Sequence, residues 1–390
     1  MAALPVPADP QQVAMVAGET SGDLLAALLF QGMRARWPAL QGVGIGGSHM
    51  VAQGFDAWWP SERLAVRGYV EVLRHYRGIV AIRRQLRDRL LAQPPSVFVG
   101  VDAPDFNLDL EADLKATGVK TVHFVAPAIW AWRPERAAKI RRSVDHVLCV
   151  FPFEPELLAQ HGIPATYVGH PLAPHIPLVP DRSAARARLG LPDGVQVLAV
   201  MPGSRRAEID HLLPRFLAAT RLLRQDRPGL RVVLPAVPAL WDRIQQLVQA
   251  SGLAPHIQVL RGDAHTALAA CDATLIASGT ATLEAALFKR PMVIAYHMNP
   301  LSWFITQRKR LQPWVGLPNI LAQDFVVPEL LQNEATPVAL ARAMAPWLDA
   351  AQTDPGKLAA LTQRFTEMHH TLRRDTAGLA VHAIETVLAG

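Results

Sequence analysis

Apolar residues along this chain follow two spacings. Short, nearly continuous apolar runs occur at Val13–Ala17, Val97–Val101, Thr121–Val125, His146–Val150 and Ala165–Val168. They return at Val195–Met201, Leu230–Leu234, Ile257–Leu260, Ala273–Ile276 and Met292–Ala295. Runs of this length and content are what parallel strands buried on both faces require. Between them, apolar residues recur every three or four positions, as in Leu24, Leu25, Leu28 and Leu29 or Leu108, Leu110 and Leu114. That spacing predicts amphipathic helices. The alternation predicts an α/β chain, with each strand–helix–strand step a right-handed crossover.

The pattern breaks once. Pro174, Pro177 and Pro180 crowd Ala173–Pro180, which reads as a linker, and strand–helix alternation restarts at Val195. Two α/β units follow, with boundaries expected at 1–178 and 179–369. No residue-level repeat relates them. The tail from Pro300 onward is expected to be mostly helical.

Ligands of open α/β sheets bind at the carboxyl ends of strands, so the loops there are the candidate sites. Gly18-Glu19-Thr20-Ser21-Gly22-Asp23 follows the first strand and opens a helix. It suits an anion or a hydroxyl-rich ligand, and equally a plain capped turn. Gly42–Gly47 is a second glycine cluster, expected to form a strand and a tight turn. Asp102 follows Val97–Val101, and the aromatic loop Ala126–Trp132, with Trp130, follows the neighbouring strand. A carboxylate there suits an acid or base acting on a sugar-like hydroxyl; helix capping is the alternative. Asp105 and Asn107 read as caps. In the second unit, Gly203-Ser204-Arg205 places a planar guanidinium after a strand, ready for a phosphate. Ser278-Gly279-Thr280 opens a helix carrying Glu284, which places amides beside a diphosphate and a carboxylate within reach of ribose hydroxyls.

Composition narrows the classes. Hydrophobic residues make up 50% of the 390 and charged ones 18%, so the chain folds rather than staying disordered. The net charge of +6 favours an anionic partner. No RNA-binding aromatic motif occurs, so nucleic acid is not expected. Cys149 and Cys271 lie in apolar stretches and read as buried free thiols, which points to a reducing compartment and not to a metal site. The start, MAALPVPADPQQ, reads as a disordered lead-in without a signal peptide, and no apolar run is long enough to span a bilayer. Leu64–Tyr76 interleaves Val70, Val72 and Leu73 with Arg67 and Arg74. Such a segment can lie on an anionic lipid surface, and pattern alone fits an ordinary surface helix better.

Eight stretches, taken together, resemble the lipid-A-disaccharide synthase family: AGETSGD (17–23), GIGG (44–47), VGVDAPDFN (99–107), PAIWAWR (127–133), VGHPL (168–172), PGSRRAE (202–208), SGTATLE (278–284) and LPNILA (317–322). Thr20 stands where a small residue such as Ala is also familiar. The resemblance implies a GT-B architecture, two Rossmann-like doubly wound domains facing across a cleft. The first would bind the acceptor lipid, with a C-terminal helix at 370–390 packing back on it; the second would bind the UDP-sugar donor. It implies transfer from UDP-2,3-diacylglucosamine to 2,3-diacylglucosamine 1-phosphate (lipid X), giving a β-1,6 disaccharide 1-phosphate and UDP, with no cofactor. By the same resemblance Asp102 is the general base, Arg205 the diphosphate ligand, Glu284 the ribose ligand and Asn319 a further donor-site residue. Gly203, Ser204, Ser278, Gly279 and Thr280 join the donor side. Glu19, Ser21, Gly22, Asp23 and Trp130 fall on the acceptor side, and His123 or Glu19 stands next should Asp102 not be the base. The lipid substrates make Val70, Val72 and Leu73 a candidate membrane-facing surface, and imply a cytoplasmic protein peripheral to the anionic inner-membrane surface. A homodimer stays open.

The residues agree with a metal-free transfer. No D-x-D pair occurs, so helix amides and Arg205 would stabilise the leaving diphosphate. Inversion then needs one displacement, with a carboxylate removing the acceptor proton. The nearest rivals are another GT-B transferase using UDP-N-acetylglucosamine and a UDP-sugar epimerase. A non-catalytic nucleotide or lipid carrier is a rival of another class. An oxidoreductase is disfavoured because no G-x-G-x-x-G follows a strand.

Overall fold

A computed structural model describes residues 9–18, 20–64, 69–131, 134–298, 303 and 311–390; the side chains of 20 and 69–76 stand outside that description. The chain divides into two compact units, 1–171 with 372–390, and 172–371.

Among the described residues the first unit holds seven strands: β1 (Gln12–Ala17), β2 (Gln41–Gly46), β3 (Asp56–Pro60), β4 (Val97–Val101), β5 (Lys120–Phe124), β6 (His146–Cys149) and β7 (Ala165–Tyr167). Their order is β3-β2-β1-β4-β5-β6-β7, and every pair is parallel. All five residues of β4 are buried, which is why its sequence shows no alternation. The helices Tyr69–Ala92 and Pro104–Lys115 cover one face, where Leu86, Leu90, Leu110 and Leu114 pack on Ala14, Val16 and Phe98. The C-terminal helix Thr376–Ala389 lies on Thr20–Arg36. Gly32 permits that approach, since a Cβ there would sit 3.0 Å from that of Ala377, and Arg36 pairs with Glu385 at 2.6 Å.

The second unit holds β8 (Val197–Met201), β9 (Arg231–Ala236), β10 (Ile257–Arg261), β11 (Ala273–Ala277), β12 (Met292–Tyr296) and β13 (Glu329–Leu331). Their order is β10-β9-β8-β11-β12-β13, again all parallel. The proline-dense stretch belongs to this unit. It contains a short helix, Leu172–His175, whose Ala173 carbonyl accepts from His369 Nε2 at 2.8 Å. The fully buried Arg186 ties the helix Arg182–Leu189 to this unit through Asp272 at 2.9 Å and the carbonyls of Ala270 and Val195.

In each sheet the chain adds two strands to one side of the first and then crosses back. The order reverses between β1 and β4, and between β8 and β11. These are the topological switch points where open sheets bind ligands.

Candidate active site

The second unit carries a cavity of about 470 Å³ at its switch point, a size that suits a nucleotide. Its walls are the loops that leave β8, β9, β10 and β11. Gly203 adopts φ +110 and lets the Glu208 carboxylate fold beneath the loop, where it accepts from the amides of Ser204 at 3.0 Å and Arg205 at 3.1 Å. A Cβ on Gly203 would meet Glu208 Oε2 at 2.3 Å. Arg205 heads the helix Arg206–Asp226; its side chain is 76% exposed and touches Glu208 at 3.2 Å. Opposite, Gly279 and Thr280 are exposed at the start of Thr280–Leu287, and Glu284 sits one turn in with His265 Nε2 3.5 Å away. The hydrogen bond to Glu284 holds His265 above its usual pKa. Every donor-side residue expected from sequence lines this cavity except Asn319.

Asn319 is wholly buried and spends its amide internally. It donates to the Val327 carbonyl and to Glu329, each at 2.9 Å, and accepts from the Val327 amide at 3.1 Å. Glu329 in turn holds the amides of Val315 and Gly316. Asn319 therefore fixes the segment that Ser278 Oγ and Thr282 Oγ1 lean on, rather than reaching the cavity. Glu208 and the loop after β9 are wall residues that the sequence reading missed, and it also missed His265, which stands behind the wall against Glu284. Glu208 was legible as a carboxylate three residues past a helix N-cap.

At the first unit's switch point stands Asp102, exposed, with Ala103 after it. Both are left-handed, at φ 52 and 44, and Val125 at the end of β5 is too, at φ 78. Three non-glycine residues in this region at one sheet edge mark a strained site; for a β-branched valine it is a rare state. Asp102 does not cap the next helix: Ala103 holds that position with no side-chain bond. Nor do the expected caps. Asp105 is exposed and pairs with Arg136 at 2.5 Å, while Asn107, wholly buried, donates back to the Asp102 carbonyl at 2.8 Å. Proline at the first helical position replaces a cap, because it brings no amide to satisfy.

Of the acceptor-side residues, Ser21 is exposed and Gly22 buried, and Glu19 lies outside the described residues. A Cβ on Gly18 would sit 3.1 Å from that of Ala103, so the loops after β1 and β4 meet. Asp23 is 2% exposed and its carboxylate is spent on the amides of Gly47 at 2.7 Å, His49 at 2.9 Å and Met50 at 3.2 Å. It builds the glycine turn instead of facing a ligand. Trp130 is half-buried; its indole donates to buried Glu154 at 3.2 Å, and its ring packs edge-on against Phe153 and Phe151. Burial pushes the Glu154 carboxyl up to about 7. Val70, Val72 and Leu73 lie outside the described side chains. Both cysteines are buried and free. Among the described residues no three metal-binding side chains cluster, and no helix is long and apolar enough to cross a membrane.

A nucleotide-sized cavity at one switch point and a strained carboxylate at another, on two parallel α/β units, define the GT-B class of nucleotide-sugar enzymes. Solved structures share the fold. A UDP-GlcNAc 2-epimerase from Neisseria meningitidis, bound to UDP-GlcNAc, matches with TM-score 0.62 at 12% identity over 97% of this chain and 100% of its own. A glycosyltransferase from Rickettsia africae matches with TM-score 0.59 at 11% identity, over 97% and 98%. At such identities the likeness is of fold alone. Sequence carries the rest. The profile of the family described as Lipid-A-disaccharide synthetase matches residues 13–384. A lipid-A-disaccharide synthase of Albidiferax ferrireducens is 65% identical over 97% of this chain and 98% of its own length. Another, from Verminephrobacter eiseniae, is 62% identical over the same shares. The chain belongs to the lipid-A-disaccharide synthase family of glycosyltransferases.

Proposed function

We propose that the protein transfers a 2,3-diacylglucosaminyl group from UDP to the primary hydroxyl of 2,3-diacylglucosamine 1-phosphate, with inversion, releasing UDP. The donor cavity carries this reading: its loop amides, Arg205 and the Thr280 helix start together suit a diphosphate, and Glu284 suits a ribose. As the glycosidic bond to UDP breaks, negative charge grows on the leaving phosphate. Fixed amides and a guanidinium stabilise that charge without reorganising. The acceptor hydroxyl is a poor nucleophile until its proton leaves. Asp102, exposed at a strained strand end, is the base that takes it.

The basic, apolar stretch at 64–76 supports a lipid-facing surface, because both substrates carry acyl chains in a bilayer. Replacing Val70 and Leu73 by Ser should lower liposome association while leaving the melt cooperative. The reaction is tested by UDP release from detergent-solubilised protein. Release requiring both lipids supports transfer; release or rearrangement from the UDP-sugar alone would mean an epimerase or hydrolase.

A further inference from the structure

Behind the Asp102 turn lies a buried ionisable pair that the mechanism above does not use. His123 on β5 and Glu111 on the Pro104–Lys115 helix are both wholly inaccessible, and His123 Nδ1 lies 2.8 Å from Glu111 Oε1. His123 is the register partner of Gly100 on β4. A Cβ on Gly100 would meet Glu111 Oε1 at 2.2 Å and Asn107 Cβ at 2.9 Å, so the missing side chain makes room for both. Asn107 and Glu111, four apart, share one helix face.

These contacts close a ring. Asn107 holds the Asp102 carbonyl at 2.8 Å, and the Asp102 amide donates to the Phe124 carbonyl at 2.9 Å, one residue past His123. Glu111 and His123 join the helix side of the ring to the strand side. Of the three left-handed residues, Asp102 sits on it, and Ala103 and Val125 are the residues that directly follow Asp102 and Phe124. Burial opposes charge on both groups and pushes the Glu111 carboxyl up, while Glu111 and then Asp102 hold the His123 pKa above the usual value. A buried ion pair is a poor way to stabilise a core, and well-packed apolar residues commonly do better. Its place under a strained reactive turn gives it another use.

We propose that the Glu111–His123 pair is the positioning element for Asp102, tying β5 to the Pro104–Lys115 helix beneath the turn and holding the carboxylate where the acceptor hydroxyl must meet it. The pair bears on turnover only if Asp102 is the base, as read above. The test is a double-mutant cycle on the full chain, with UDP release and thermal melts as readouts. Glu111→Gln keeps the shape and an acceptor for His123 Nδ1 but removes the charge. It should lower kcat about tenfold or more, the scale on which partners behind a reacting group act, with UDP affinity unchanged. In an Asp102→Asn background the same change should cost almost nothing, because the group it positions is gone. Glu111→Asp, which restores the charge, should recover part of the loss, and His123→Gln should repeat the Glu111→Gln pattern. A kcat loss that persists undiminished beside Asp102→Asn would overturn the proposal. So would unchanged kcat in Glu111→Gln, or loss of a cooperative melt in both Glu111→Gln and His123→Gln. Normal turnover in Asp102→Asn alone would instead refute Asp102 as the base.

Discussion

Gly203→Ala perturbs the donor loop at one atom, and its cost can be worked from the geometry. The residue sits at φ +110, which a non-glycine residue adopts at a cost of about 1–3 kcal/mol. The new Cβ would lie 2.3 Å from Glu208 Oε2 and 2.8 Å from Glu208 Cβ. Glu208 Cβ is fixed to the helix, so the carboxylate cannot simply swing aside; it must leave the Ser204 and Arg205 amides or push the loop outward. Bonds to a charged acceptor contribute about 1.5–3 kcal/mol each, and water recovers part of that at an exposed loop. A total of about 2–4 kcal/mol follows, a fall of roughly 5–15 °C in the transition of a unit this size. The loop amides would also turn away from the diphosphate, so UDP affinity should fall at least about tenfold. Calorimetric UDP titration and thermal melts, with Gly194→Ala as control, read both effects; nothing lies within 4 Å of a Cβ at Gly194. Wild-type UDP affinity and melting in Gly203→Ala would refute the account of the loop.

Three further outcomes follow from the same contacts. Arg205→Ala should weaken UDP binding about 10- to 100-fold with little change in melting, since its side chain is 76% exposed and its ion pair among the described residues is with Glu208; equal affinity by calorimetry would remove it from the phosphate site. Asp102→Asn should lower turnover at least about a hundredfold while UDP affinity stays near wild type, and near-normal UDP release would remove it as the base. Burial raises Glu154 from 4.5 to about 7 in the folded chain, so that state binds more protons than the unfolded one in between, and stability should fall as pH rises from about 5 to 7. Glu154→Gln abolishes that dependence, and melting curves of the two proteins that stay parallel from pH 5 to 8 would show that Glu154 does not titrate there.

The legible parts of the fold are those where burial dictates residue type. β1, β4, β8 and β11 are buried along nearly their whole length and could be read from apolar runs alone. β3 and β13 could not. They are edge strands with half-buried residues, in Asp56-Ala57-Trp58-Trp59-Pro60 and Glu329-Leu330-Leu331, and their pairing is decided by a neighbouring strand rather than by their own pattern. The loops that line the second unit's cavity were legible because glycines and hydroxyls follow β8 and β11 closely, a pattern that suits a phosphate. Polar residues expected at such loops divided by what else lay near: Asp23 and Asn319 found backbone groups to satisfy and became supports.

The Glu111–His123 pair was hidden for a related reason. Alone, Glu111 reads as the polar side of an amphipathic helix and His123 as an interruption in an apolar strand. The one trace of their meeting is Gly100, a glycine inside the buried run Val97-Phe98-Val99-Gly100-Val101. Glycine weakens a strand, so its presence there asks what fills the space a side chain would occupy. Two side chains spaced four apart on the following helix, Asn107 and Glu111, fill it from one side, and His123 faces it from the next strand. The geometry that buries these polar groups also ends at Asp102, two residues past that glycine. In this chain the glycine inside the strand marks the space through which Asn107 and Glu111 enter beneath the turn at Asp102.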